Sequence, residues 1–314
     1  MTPADEARLR RIKTNLEKRD RVIQAIRSFF RGEGFLEVET PLRVPQVAPE
    51  LHITPFRSEG FFLSTSPELY MKRLLASGYD KIFQLTHSFR REERGRNHQP
   101  EFTILEWYRA HAGYLDIIQD TENLITAVAR SLRVYPEIGY QGKKIDLTPP
   151  WLHITVKDAF LKSAGWDPTV AYDAERFESD LVDRVIPSLP PQRPVVLMDY
   201  PRACASLARL KPGDSSVSER AEVFIGGLEL ANGYSELNDP AEQERRFSED
   251  IESLTKLGRE GFSLPFRFLE ALGSLPESGG IALGVDRLVM LFCDVRDIDE
   301  VMAFPWIEGR GLEG

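Results

Sequence analysis

Two apolar runs, Ile82 to Phe89 and Phe102 to Trp107, enclose a twelve-residue connection, RREERGRNHQPE, that carries four arginines, three glutamates and one histidine. A connection so charged cannot be buried without partners, whereas the runs on either side are driven out of water. The simplest solution is a hairpin whose strands lie in a sheet and whose loop stays at its rim. Such a sheet needs a large core, and 314 residues with 42% hydrophobic content can bury one.

The flanking sequence supplies the other elements. Val22, Ile23, Ile26, Phe29 and Phe30 recur at helical spacing over 18–33, with Gly34 placed to end the helix. Phe35 to Glu39 then alternates apolar and acidic residues up to Thr40-Pro41, as a short strand does. Ser66-Pro67-Glu68 reads as a helix start, with Ser66 as N-cap and Pro67 at the first helical position, and Gly78 closes that helix. A helix is predicted from about Leu115 to Leu132, followed by a less regular region to about Pro194. Strands return at Val195 to Met198, Ala221 to Ile225 and Leu228 to Leu237, the last two joined by Gly226-Gly227, a strong hairpin turn. A charged helix begins near Pro240, and Gly279 to Gly284 leads as a glycine-broken strand into an apolar helix from Val285 to Leu291. With no repeat and no interior linker, the pattern predicts one α+β domain, a mostly antiparallel sheet flanked by helices.

No stretch is apolar enough to span a bilayer and the charged start has no signal region, so a soluble cytoplasmic protein without membrane partners is expected. Cys204 and Cys293 share no spacing with other metal-ligating residues and read as buried small side chains. A formal net charge of -9 argues against a broad nucleic-acid surface, because phosphate backbones are met by an excess of Lys and Arg. It leaves room for a local nucleotide site.

The charged loop suits such a site. Arg90 ends one strand, Glu92 follows on the same face, and His98 lies across a loop that can fold over phosphates. Glu222, Glu229 and Glu236 recur every seven residues across Gly226-Gly227. Pairing of those strands would bring Glu222 and Glu229 together, and two carboxylates at a phosphate cluster suggest Mg²⁺. Transfer of adenylate to a carboxylate calls for such parts, because the substrate itself attacks the α-phosphorus of ATP and no protein nucleophile is required. The protein must hold both reactants and neutralise charge.

Phe89-Arg90-Arg91-Glu92, His98-Gln99-Pro100-Glu101-Phe102 and Leu105-Glu106-Trp107-Tyr108 together resemble motif 2 of the class II aminoacyl-tRNA synthetases of the lysyl subgroup. Gly284-Val285-Asp286-Arg287-Leu288 resembles motif 3, and the helix, strand and Pro41 resemble the weaker motif 1. The resemblance runs from about residue 20 to residue 306 and implies the class II catalytic fold. It implies that Arg90 binds the α-phosphate and the amino-acid carboxylate, Glu92 the adenine amino group, and His98 and Arg287 the γ-phosphate, while Phe102 stacks on adenine. Arg91, Gln99, Val223 and Gly284 complete the implied ATP site, although Gln99 stands where the family commonly has Asn. Glu222 and Glu229 would meet metal and nucleotide, with Glu229 also bordering the substrate. Glu106, Tyr108 and Glu236 would receive a cationic side chain, and Ser66, Pro67 and Glu68 the backbone amino group.

On this basis residues 16–308 form the catalytic domain, with tails at 1–15 and 309–314. Full lysyl-tRNA synthetases carry an anticodon-binding barrel ahead of motif 1, where about twenty residues stand here. The arrangement resembles the truncated paralogues that attach (R)-β-lysine to a lysine of elongation factor P. Ala282 agrees, since lysyl-tRNA synthetases usually have glycine there and the paralogues alanine. The resemblance implies ATP and Mg²⁺, lysine or β-lysine as substrate, elongation factor P as acceptor, no stable tRNA binding, and a homodimer built on motif 1, which the apolar face of residues 22–30 permits.

Overall fold

The computed structural model describes residues 3–259 and 261–306, so the tail expected at 309–314 lies outside the described residues. Among them, nine strands form the main sheet: β1 (Leu36–Glu37), β2 (Lys81–Phe89), β3 (Glu101–Ala110), β4 (Leu152–Thr155), β5 (Val195–Pro201), β6 (Leu210–Lys211), β7 (Asp214–Ile225), β8 (Leu228–Ser235) and β9 (Ser278–Gly284). Their order is β1-β2-β3-β9-β8-β7-β5-β4, with β6 paired near the start of β7. Pairing is antiparallel except at the edges, where β1 runs parallel to β2 and β4 parallel to β5. The expected hairpin is β2 with β3, and Gly226-Gly227 turns β7 into β8 with both residues at positive φ, 63° and 87°, a conformation that glycine adopts without strain.

One face of the sheet is apolar and carries α1 (Pro3–Gly32), while α2 (Glu68–Ala76) lies on the other. The remaining helices are α3 (Tyr114–Ser131), α4 (Val156–Ser163), α5 (Ala174–Asp180), α6 (Pro240–Lys256), α7 (Phe266–Leu272) and α8 (Val285–Cys293). Val22, Ile26 and Phe30 of α1 are fully buried with Phe83, Leu105, Trp107, Ile281 and Leu283, beneath α3 and α8. Phe30 stacks on Phe83 with ring centroids 4.7 Å apart and meets Trp107 at 5.2 Å. Each such ring contributes roughly 1.5–3 kcal/mol by leaving water. Val22, Ile26 and Phe30 are therefore spent inside this chain, while Ile23 and Phe29 of the same face stay partly exposed.

Three expectations change. Residues 3–15, set apart above as a tail, are the first half of α1: Arg8 donates to the Met302 and Ala303 carbonyls and Asn15 to that of Glu300. The region before Pro194 is more regular than its sequence, with the hairpin Glu137–Tyr140/Lys143–Asp146, strand β4, and α4 and α5 around a second core of Phe160, Phe177 and Tyr200. Helix α2 opens at Glu68, one residue later than expected, while the Ser66 hydroxyl still accepts the Glu68 N–H at 3.0 Å. Both cysteines are free and only partly buried.

The apolar face is locked to the site face by Asp286 at the start of α8. Its carboxylate, 2% exposed, accepts from the Thr103 backbone N–H at 2.7 Å and from Arg19 at 2.5 Å, and Arg19 also reaches the Thr103 hydroxyl. Asp286→Ala would strand a guanidinium and a backbone N–H, so a loss of about 3 kcal/mol is expected by urea unfolding.

Candidate active site

The face opposite α1 carries polar side chains in two rows set by strand register. Glu106 of β3, Ala282 of β9, Asn232 of β8 and Glu222 of β7 are successive cross-strand partners. The neighbouring row is Tyr108, Gly280, Tyr234 and Arg220. A regular strand alternates faces, so Glu229 and Asn232, three residues apart, would point to opposite sides. Leu230 prevents this: Val223 pairs with Ala231 but Phe224 pairs with Glu229, leaving Leu230 as the extra residue of a bulge. Glu229 thereby joins Asn232 and Tyr234 on the site face.

One half of this face gathers around the charged loop. Arg90 donates to the Thr65 carbonyl at 3.3 Å and to Glu93 at 2.9 Å, and its guanidinium lies 5.2 Å from the centre of the Phe102 ring. Arg287 is held by the carbonyls of Asn97 and Glu229 and donates to His98 Nε2 at 2.5 Å. Burial, and then Arg287, lowers the His98 pKa, so the imidazole is neutral and accepts that bond. Arg220 holds Glu222 at 2.8 Å. Burial, and then the nearby Glu222, raises the pKa of Glu229, whose side chain shares the sheet face with Glu222. Gly284 caps α8 with extended backbone, bringing Arg287 over this cluster.

Four residues of the expected ATP set stand elsewhere. Val223 is fully buried in the helix-side core, because it alternates with Glu222 along β7, so its side chain is not in the site. Glu92 points outward to Thr54 and Arg259, and the carboxylate on Arg90 is instead that of Glu93. Arg91 is exposed beside Glu92. Both amide atoms of Gln99 are already used: its nitrogen donates to Asp299 at 2.6 Å and its oxygen accepts from the Trp306 N–H at 3.1 Å. Gln99 anchors the loop to the chain beyond α8.

The other half is a buried ring of carboxylates under α2. Glu106 accepts from Ser66 at 2.6 Å and from the Tyr108 hydroxyl at 2.7 Å. Glu68 accepts from the Tyr234 hydroxyl at 2.6 Å and from Lys72, and Lys72 also pairs with Glu236. Pro67 supplies the carbonyl that starts α2. Gly280 is required beneath them, since a Cβ there would collide with Glu236 Oε1 and the Tyr108 ring. Ala282 lies in register between Glu106 and Asn232, partly exposed on the pocket floor. Lys72, Glu93, Arg220, Asn232 and Tyr234 were missed by sequence reading, as was Glu50, half-buried near Glu68 and Arg90. Lys72 alone had a legible signal, four residues after Glu68 on one helix face.

The described residues include no helix long and apolar enough to cross a membrane and no group of three or more side chains gathered as metal ligands. The sequence pattern of the family described as "tRNA synthetases class II (D, K and N)" matches residues 5–308. The chain is similar to the lysine–tRNA ligase of Pelotomaculum thermopropionicum, 36% identical over 95% of this chain and 64% of that protein. Lysine–tRNA ligases of Dehalococcoides mccartyi (36% identical, 93% and 64% covered) and Campylobacter jejuni (36%, 91% and 62%) are similar to the same degree. The chain thus spans less than two thirds of the length of these relatives.

Burial, reinforced by Glu68, pushes both Glu106 and Glu50 up to about 7 from an ordinary 4.5. The folded chain therefore keeps protons that the unfolded chain releases, and the empty protein loses stability as pH rises from about 4.5 to about 7. A bound ammonium offsets the exposed charge. The thermal shift produced by saturating lysine is expected to grow from pH 6 to pH 8; equal shifts at both would separate these carboxylates from the ligand.

Proposed function

The chain belongs to the class II tRNA synthetases of the D, K and N group, and from that premise we propose that it activates a lysine-like diamino acid with ATP, forming the aminoacyl-adenylate. The observation that carries this reading is the continuity of two opposite sites on one sheet face. A ring of buried carboxylates, suited to ammonium groups, adjoins an arginine-lined cluster suited to phosphates.

The chemistry follows from the placement. The substrate carboxylate attacks the α-phosphorus, the bond to the bridging oxygen breaks, and pyrophosphate leaves. Arg90, at the junction of the two halves, is placed to orient the attacking carboxylate and offset charge on the α-phosphate. Arg287 and His98 flank the end where the γ-phosphate would lie, and Phe102 offers a face to adenine once Arg90 has turned to the phosphate. Glu222 and Glu229 fit Mg²⁺, which takes one or two carboxylates and completes its shell with phosphate oxygens and water. Bound there, the ion would neutralise the departing pyrophosphate.

For the second step the reading is transfer to protein: the unprotonated ε-amine of a lysine of elongation factor P attacks the adenylate carbonyl, AMP leaves, and an amide forms. (R)-β-lysine is the proposed donor, within a homodimer. Ala282 supports the isomer, because its methyl stands on the pocket floor between Glu106 and Asn232. The net charge of -9 supports a protein acceptor over RNA. Intact-mass measurement of elongation factor P after incubation with the enzyme and ATP is expected to show one added lysyl unit with β-lysine. Label appearing on tRNA with elongation factor P unmodified would overturn the acceptor and favour the activity for which the relatives are named. In pyrophosphate exchange, Ala282→Gly is expected to move the preference towards α-lysine by roughly tenfold or more, the scale set by one methyl group.

A further inference from the structure

A pocket read as receiving an ammonium already contains one. Lys72, with its side chain 1% exposed, projects from α2 between Glu68 and Glu236, and its Nζ lies 5.2 Å from the centre of the Tyr234 ring. A lysine is costly to desolvate, and an apolar side chain would fill the same space without that cost. The two oxygens of Glu236 are also unequal. Oε2 faces Lys72, whereas Oε1 lies over Gly280 beside Tyr108, and neither accepts an aligned hydrogen bond. Glu236 is thus held by charge on one side and open as an acceptor on the other.

We propose that Lys72 is a positioning residue for substrate selection: its ammonium occupies Oε2 of Glu236, opposes the neighbouring carboxylates, and reserves Oε1 for the side-chain ammonium of the diamino acid. The groups facing Glu236 make this necessary. Glu68 of α2 and Glu106 of β3 are carboxylates, Tyr108 and Tyr234 are buried phenols, and Glu50 adds negative charge beyond Glu68. Lys72 is the cation among them. Its removal leaves three buried carboxylates sharing one space, and a protonated Glu236 no longer attracts an ammonium. The proposal rests on the reading that this ring takes an amino acid.

The test is pyrophosphate exchange from pH 6.5 to 9 with the intact chain, ATP and the better of α- and β-lysine. In the wild type the amino-acid KM falls as pH rises and Glu236 ionises. In Lys72→Met that profile is expected to move to higher pH by about one unit, an approximately tenfold rise in KM on its acidic side, with the KM for ATP unchanged. A lower kcat with an unmoved pH profile would make Lys72 merely structural and overturn the proposal. Lys72→Met/Glu68→Gln restores charge balance and guards against loss of fold; it should move the profile less than the single change, and an equal or larger move also overturns the idea. Absence of exchange in the wild type with either isomer would instead sink the underlying activity.

Discussion

Seven residues separate Glu229 from Glu236, an odd number that a regular strand converts into opposite faces. The site depends on the single residue that breaks this rule. Leu230 turns an extra side chain into the helix-side core, where it is buried, and so shifts Glu229 onto the face that also carries Asn232, Tyr234 and Arg220. The cluster around Arg90 and Arg287 and the ring of carboxylates become neighbours on one surface because of that bulge. The apolar core supplies the restraint, since undoing the bulge would send a leucine to the charged face and a glutamate into the packed one, each costing several kcal/mol.

The two faces of the sheet therefore solve different problems. Beneath α1, α3 and α8, aromatic and aliphatic side chains leave water and set the position of the strands. On the opposite face the strands hold carboxylates at a depth where their charge is unfavourable. Hydroxyl donors from Ser66, Tyr108 and Tyr234 and the ammonium of Lys72 offset part of that cost. The rest stays uncompensated until a ligand arrives, which is how a pocket gains selectivity for cations at the expense of its own stability. Asp286 links the two regimes, because it ties α1 to β3 at the residue preceding Arg287.

Much of this was legible along the chain because it depends on local pattern. The β2–β3 hairpin, the glycine turn between β7 and β8, and the helical spacing of Val22, Ile26 and Phe30 all announce themselves within a few residues. What escaped depends on partners far away in sequence. The first turns of α1 are highly charged, with only Leu9, Ile12 and Leu16 as a sparse apolar line, and they are fixed by carbonyls near residue 302. The parallel edge strand β4 gains its order from a strand tens of residues distant. In the site, Glu106 and Glu222 lie in one cross-strand row, and Arg90, Arg287 and Glu236 border that face; spacing and family resemblance had singled out all five. Which of the adjacent Glu92 and Glu93 pairs with Arg90 was not readable, since a loop has no fixed period, and strict alternation along β7 turns the Val223 side chain into the core.

Gln99 gives the charged loop a mechanical character. Its amide is clamped by Asp299 and the Trp306 backbone, the Ile298 N–H bonds the Arg96 carbonyl, and His98 is fixed by Arg287. The loop is thus pinned along its returning limb and continuous with a strand at Arg90 on the other. Its outgoing limb is held as well: the Arg91 N–H bonds the Thr54 carbonyl, Glu92 accepts from Thr54 and Arg259, and Arg94 lies over the Trp306 ring. The loop is a rim fastened on both limbs, and His98 stands in it as part of a stationary wall and not of a lid.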